Sequence, residues 1–502
     1  MDLLHNLALG FSVALTVTNL VYCMIGVLIG TLVGVLPGLG AFATIALLLP
    51  ITYGLEPTTA LIMLAGIFYG AQYGSSTTSI LINMPGETSG VITVLDGYQM
   101  ARQGRAGEAL LVSAVGSFVA GSVATIVIAA FAPPLANIAL QFGPAEYFSL
   151  MVLGLIGAIV LARGSVIKAI GMAILGLLFG LVGTDVSTGT QRFTFGIVDL
   201  YNGLDFVVVA MGVFGVTEII VNLEEAEEDR KSYTNSVRGL GMWRLSREDI
   251  RRAWPAVLRG TVVGSLIGIL PGGGALLSSF ASYAVEKKLA KEPERFGRGA
   301  IEGVAGPESA NNAGSQTSFI PMLTLGLPSN VVMALMIGAL MIHNIQPGPQ
   351  VMTNNPELFW GLIVSMWIGN IMLVILNLPL IGIWIKLLTV KYRILFPAIL
   401  AVCCIGVFTV SNSSSLVLLM ALFGVLGYFF VKLHFEPAPM LLGFILGPMM
   451  EEYLRRAMTI SRGSPTVFFT RPLSLTLLIL ALIFLVATMI PSIARRREKT
   501  FR

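Results

Sequence analysis

The chain has 502 residues, of which 55% are hydrophobic and only 12% charged, about half the charged fraction of roughly 25% usual in soluble domains. That balance excludes an ordinary soluble enzyme or binding module, and a net charge of +4 suits basic loops at a membrane edge and not nucleic-acid binding. Cys23, Cys403 and Cys404 sit inside apolar runs without metal-ligand or disulfide spacing, and Met1–Gly10 lacks the basic start of a signal peptide, so it reads as retained structure.

Apolar runs of roughly the 17–25 residues that cross a bilayer recur along the chain. Phe11–Leu36 is the first and ends at Pro37, Gly38 and Gly40. A loop without Lys or Arg, Pro50–Pro57, leads to a second break, Gly74–Gly86. There Ser75, Ser76, Thr77, Thr78, Asn83, Pro85 and Gly86 stand where a membrane helix prefers leucine. Asp96–Glu108 carries Arg102 and Arg105. The spans Glu108–Phe131, Phe148–Leu161, Val166–Val182 and Phe206–Val221 follow, separated by the uncharged loop Pro133–Pro144 and by Arg163 and Lys168. Leu223–Pro255 holds seven Lys or Arg and reads as a cytoplasmic linker, with Glu224–Asp229 a solvated acidic face. Beyond it lie a third break at Pro271, Gly272 and Gly274, then the basic loop Glu286–Arg298. The fourth break, Ala310–Asn330, contains Asn311, Asn312, Gly314, Gln316, Thr317, Pro328, Ser329 and Asn330. Phe359–Trp384, Leu395–Val410, Leu416–Val431 and Leu473–Pro491 complete the spans.

The halves resemble each other. Gly30–Ala41 (GTLVGVLPGLGA) and Gly264–Ala275 (GSLIGILPGGGA) agree at eight of twelve positions. Gly74–Ile80 (GSSTTSI) matches Gly314–Ile320 (GSQTSFI), Asn83–Gly86 matches Gly326–Ser329, and Gly212–Glu218 corresponds loosely to Gly443–Glu451. Equivalent loops alternate in charge: Pro50–Pro57 is free of Lys and Arg where Glu286–Arg298 is basic, and Asp96–Glu108 is basic where Asn344–Glu357 is not. Two further loop pairs swap in turn. Since Lys and Arg collect in the cytoplasm, the halves are expected to be inverted. The fold class read from the sequence is an all-α polytopic membrane protein of two inverted-topology repeats, with broken helices or re-entrant hairpins meeting at a midplane site, plus a C-terminal helix. The divisions are residues 1–222, a linker at 223–255, 256–463, and 464–502. Arg455, Arg456 and Arg462 conflict with this scheme, which places their loop outside.

Breaks at matching places of inverted halves point to a transport site, because free backbone groups in hydrocarbon survive only inside protein or beside a cavity. The neutral residues of the second and fourth breaks are the candidate substrate-binding groups, contributing amides, hydroxyls and helix dipoles without a fixed Lys or Arg. The first and third breaks are candidate hairpin turns whose carbonyls suit Na⁺. Packing kinks and hydroxyls bonded back to their own helix are the competing structural reading. Glu87, Glu302 and Glu308 flank the breaks and are candidates for titration or cation binding, a satisfied interfacial carboxylate being the simpler reading; His343 reads as a loop residue. No HExxH, GxSxG, Walker A or Cys/His cluster is present, so the chain is expected not to be an enzyme and to need no cofactor.

At the stretches from Gly30 to Glu87 and from Gly268 to Asn330 the sequence resembles the large membrane subunit of the tripartite tricarboxylate transporters, the TctA-like permeases. The resemblance runs over essentially the whole chain. It implies secondary active uptake of citrate-like di- or tricarboxylates across the bacterial inner membrane, with Na⁺ as coupling ion. It also implies two partners, a small four-helix membrane subunit (TctB-like) and a periplasmic solute-binding protein (TctC-like). A passive carboxylate channel or exporter, and a membrane enzyme on a lipid-linked substrate, are the alternatives.

Overall fold

A computed structural model describes residues 3–36, 40–162, 165–185, 188–224, 244–270, 274–387, 392–411 and 413–489. Pro37, Gly38, Pro271 and Gly272, most of the central linker and the basic tail lie outside this set. The described chain is an all-α polytopic membrane protein. A two-residue strand pair, Gly183–Thr184 with Gln191–Arg192, is its only sheet among the described residues.

The first half contributes α1 (Leu3–Ala14), α2 (Val17–Val35), α3 (Ala41–Thr52), α4 (Pro57–Ile82), α5 (Val91–Arg102), α6 (Ala106–Ala139), α7 (Pro144–Leu161), α8 (Val166–Gly180) and α9 (Phe206–Glu224). The second contributes α10 (Arg247–Gly268), α11 (Gly274–Leu289), α12 (Glu302–Thr317), α13 (Phe319–Leu325), α14 (Val331–Ile342), α15 (Pro356–Asn377), α16 (Tyr392–Ser411), α17 (Ser414–Lys432), α18 (Ala438–Ile460) and α19 (Pro472–Met489). Among the described residues α2, α6, α9, α15 and α17 are long and apolar enough to cross a membrane. Proline opens α4, α7 and α15, where its missing N–H would be unpaired in any case.

Several element boundaries differ from the sequence expectation. The run Phe11–Leu36 divides because the Thr16 hydroxyl accepts from Asn19 N–H and starts a new helix. Pro133 and Pro134, expected in a loop, lie within the 34-residue α6. Most consequentially, the Ser/Thr/Asn stretches do not break their helices. α4 runs unbroken to Ile82 and α12 to Thr317. The chain leaves helical geometry only afterwards, where Asn83 (φ 61°) and Gly326 (φ 69°) adopt the left-handed conformation that ends a helix.

Two helix pairs share one construction. A Cβ built on Gly26, Gly30 or Gly34 of α2 would lie 2.2–2.3 Å from the carbonyl oxygens of Met63, Ile67 and Ala71 on α4. One built on Gly260, Gly264 or Gly268 of α10 would lie 2.2–2.4 Å from those of Gly306, Ala310 and Gly314 on α12. Only glycine permits such backbone contact. The contacts pair Ala71 with Gly314, and Asn83 with Gly326. The sequence match of Gly74 to Gly314 is therefore displaced by one helical turn from the packing register. The last helices exchange partners: α8 packs on α18, with Gly176 against the Met440 carbonyl, and α9 packs on α17, with Gly212 against the Met420 carbonyl.

The loops after α5 and α11 meet: Gln103 donates to the Arg298 carbonyl at 2.8 Å, Arg105 pairs with Asp249 at 2.8 Å, and Asp96 accepts from the backbone N–H groups of Gly297, Gly299 and Ala300. Elsewhere His343, at the end of α14, lies beside Thr52 and Glu56. Arg455 is neutralised by Asp185 and Glu451, and Arg192 by the same two carboxylates.

Candidate functional site

A cavity of about 1020 Å³ lies between the halves, large enough for a small organic acid. Matching segments of both halves form parts of its wall. The first half supplies Phe42, Gln72 and the turn Glu87–Ser89; the second supplies Gly274–Leu276 and the turn Ser329–Val332. α9 adds Thr217 and Glu218, and Lys168, His434 and Glu436 also line the wall. α9 reaches the cavity through a π-helical turn, Met211–Val216, a widened geometry common at functional sites.

The chemistry of the wall is asymmetric. Pro85 and Pro328 follow the two left-handed residues at equal spacing, and two positions further on the first half has Glu87 where the second has Asn330. Glu87 turns its carboxylate onto the N-terminus of α3, accepting from Ala41 N–H, while its own N–H donates to Ser75 Oγ at 2.8 Å. Asn330 caps α14, its Oδ1 accepting from Met333 N–H at 3.0 Å. Its amide nitrogen is the neighbour a side chain on Gly274 would meet, at the start of α11. One helix N-terminus thus carries a built-in carboxylate, and its counterpart faces the cavity beside a neutral amide donor.

The structure brings together only part of the sequence-derived site. Gly274, Ser329 and Asn330 line the cavity. Gly40 caps α3 next to the wall. The other candidates do not line it. Ser76 donates to Glu308, Thr78 bonds back to Ser75 O, and Thr77 is buried within α4. Asn312 donates to Ser117 and Asn311, Gln316 accepts from Thr125, and Thr317 bonds back to Ala313 O. Gly314 and Gly86 are close-packing points against Gly268 and Gly34; Pro328 is buried in the turn and Asn83 is exposed. The physical reason is local: hydroxyls and amides on a buried helix satisfy themselves against their own or neighbouring helices. Pro37, Gly38, Pro271 and Gly272 fall outside the described residues.

Other expectations are corrected with them. Lys168 contributes a fixed cation to the wall, its ammonium donating to Leu433 O at 2.7 Å and lying 4.9 Å from the Phe435 ring centroid; no Lys or Arg was expected there. Glu302 lies near Arg252 and Arg295. Glu87 and Glu308 are buried within the fold. His343 is the loop residue expected, and burial pushes its imidazole below the usual histidine range.

A helical, multi-span chain with a largely apolar cavity, set with a few polar groups, between two similarly built halves has the form of a membrane transporter. Residues 20–442 match the family described as Tripartite tricarboxylate transporter TctA family, and the chain belongs to it. A relative from Agrobacterium vitis, "Uncharacterized 52.8 kDa protein in TAR-I ttuC' 3'region", is 58% identical over 501 residues, covering 100% of this chain and 99% of the relative. A second from the same organism, "Uncharacterized protein in TAR-II ttuC' 3'region", is 58% identical over 238 residues, 47% of this chain and 98% of the relative. No solved structure matches the chain.

Proposed function

We propose that the chain is the permease of a secondary active uptake system for small di- and tricarboxylates in the bacterial inner membrane, coupled to Na⁺. A periplasmic solute-binding protein delivers the substrate, and a small four-helix membrane subunit completes the assembly. The observation that carries this reading is that the matching turns Glu87–Ser89 and Ser329–Val332 line one cavity. A substrate carboxylate takes the N-terminus of α11 and the Asn330 amide, the counterpart of the place that Glu87 occupies on α3. Glu87 and Glu218 repel an anion, and a co-bound cation offsets them. Inverted repeats are favoured because non-equivalent loops meet: the loop after α5 touches the one after α11, while the loop after α3 lies beside the one after α14. Such halves suit a site that moves against a scaffold in an elevator-like step.

The test is thermal stabilisation of the purified chain by citrate, malate and succinate, with Na⁺ and with choline in its place. Stabilisation that requires Na⁺ is expected, growing with ligand concentration. A carboxylate effect indifferent to the cation sinks the coupling, and no effect from any small carboxylate sinks the function.

A further inference from the structure

Glu308 of α12 is fully buried and does not line the cavity between the halves. Its oxygens accept hydrogen bonds from the other half of the chain: Ser76 donates to Oε2 at 2.6 Å and Thr93 donates to Oε1, with Ser113 a further hydroxyl neighbour. Ser76 lies one turn along α4 from Gln72, which does line the cavity. Among the described residues no Lys, Arg or His reaches the carboxyl. The titratable and charged groups of the surrounding helices are otherwise engaged, with two exceptions. Asp96 of α5 turns to the backbone of Gly297, Gly299 and Ala300; Arg259 of α10 and Glu286 of α11 bind each other; Glu108 of α6 binds Arg105. The exceptions are Tyr69 and Tyr73 of α4, buried phenols with no hydrogen-bond partner among the described residues.

A carboxylate so placed needs a bound cation or a proton. The geometry favours the proton. Hydroxyl oxygens already at hydrogen-bonding distance from the carboxylate leave no space for an ion between them. Ser76 Oγ also lies 3.3 Å from Gln72 O. When the Ser76 O–H turns to that carbonyl, its lone pair accepts a hydrogen bond from a protonated Oε2. The same three groups therefore satisfy either state of Glu308.

We infer that Glu308 gains and loses a proton in each transport cycle, so that the site travels across the membrane with this carboxyl neutral. The inference rests on the transport reading above and adds a second coupled ion to it. The proton enters from the outer side, forms the Oε2–H bond, and passes to water on the inner side, leaving the carboxylate as it was.

The experiment uses the full chain, wild type, Glu308→Gln and Ser76→Ala, purified for spectroscopy and, together with the small membrane subunit and the solute-binding protein, in proteoliposomes for transport. Infrared difference spectra between acid and alkaline buffer read the protonated carboxyl. Citrate counterflow, and citrate accumulation under an imposed pH gradient at equal Na⁺ on both sides, read transport. Expected are a carboxyl band in the wild type that Glu308→Gln lacks, loss of gradient-driven accumulation in that variant, and retained counterflow. Ser76→Ala should keep the band and move its titration midpoint. A band unchanged in Glu308→Gln, or accumulation that survives in it, overturns the inference. Should Glu308→Gln fail to fold, an unmoved midpoint in Ser76→Ala overturns it equally. If the wild type exchanges no small carboxylate, the transport reading fails, and the infrared band still decides the proton on Glu308.

Discussion

Asn330 and Glu87 differ by a donor and a charge at matching places, and this makes Asn330 a sharp probe of where an anion sits. Asn330→Asp keeps the Oδ1 that caps α14 but replaces the amide donor with negative charge. The fold should hold while carboxylate binding is lost. Asn330→Ala should lose a hydrogen bond to a charged group, about 1.5–3 kcal/mol or at least roughly tenfold in affinity, and the cap besides, about 1 kcal/mol of stability. Thr78→Ala and Asn312→Ala, facing away from the cavity, should lower stability and leave affinity unchanged. Calorimetric titration and thermal midpoints on the same variants separate the two classes; lost affinity in Thr78→Ala would return the site to α4. Residue type alone did not make this distinction in the sequence. A run of Ser and Thr looks the same whether its hydroxyls face a ligand or their own helix, and only the left-handed residues and prolines after it marked the true turns. Lys168, Glu218 and His434 come to the wall from distant segments, and the sole hint was the loose correspondence of Gly212–Glu218 with Gly443–Glu451.

At the scale of the element, the glycine-to-carbonyl contacts set how closely α2 meets α4 and α10 meets α12. Adding one methyl at Gly30 or Gly264 places carbon about 2.2 Å from a backbone oxygen, so the helices must separate. A loss of about 1–3 kcal/mol, typical of overpacking, is expected in each variant. Gly171, with nothing within 4 Å of an added Cβ, should accept alanine without loss. Unfolding in detergent followed by circular dichroism checks this, and equal midpoints for all three variants would remove the role given to these contacts. The repeated GxxxGxxxG spacing was readable, since glycine at every fourth residue lies on one helix face. Its register against the second helix was not. The Ser/Thr match runs at one spacing and the Pro turns at another, and packing follows the turns.

For the whole molecule, the contact between Gln103 and Arg298 sets two sequence-distant loops at one surface. Cysteines introduced at Gln103 and Glu292 should react together with a reagent confined to the cytoplasm, and those at Glu56 and Asn354 with one confined to the periplasm. Glu56 and Glu292 labelled from the same side would end the inverted arrangement. Membrane class and repetition were plain from composition and motif, because both are averaged over many residues. The enclosing of a cavity was not, because it depends on α7, α8, α9, α17 and α18 meeting across the chain.

That meeting also dictates an order of events during synthesis. α2 and α4 are separated in sequence by one short helix, as are α10 and α12, so each pair can close while the ribosome is still at work. The exchanged pairs cannot. α8 must hold its small-residue face open until α18 is made, and α9 must wait for α17. Contacts of such long sequence separation form last. The nascent protein therefore presents an unfinished groove to the bilayer for most of its translation, and both cross-half seams close only when nearly the whole chain has entered the membrane.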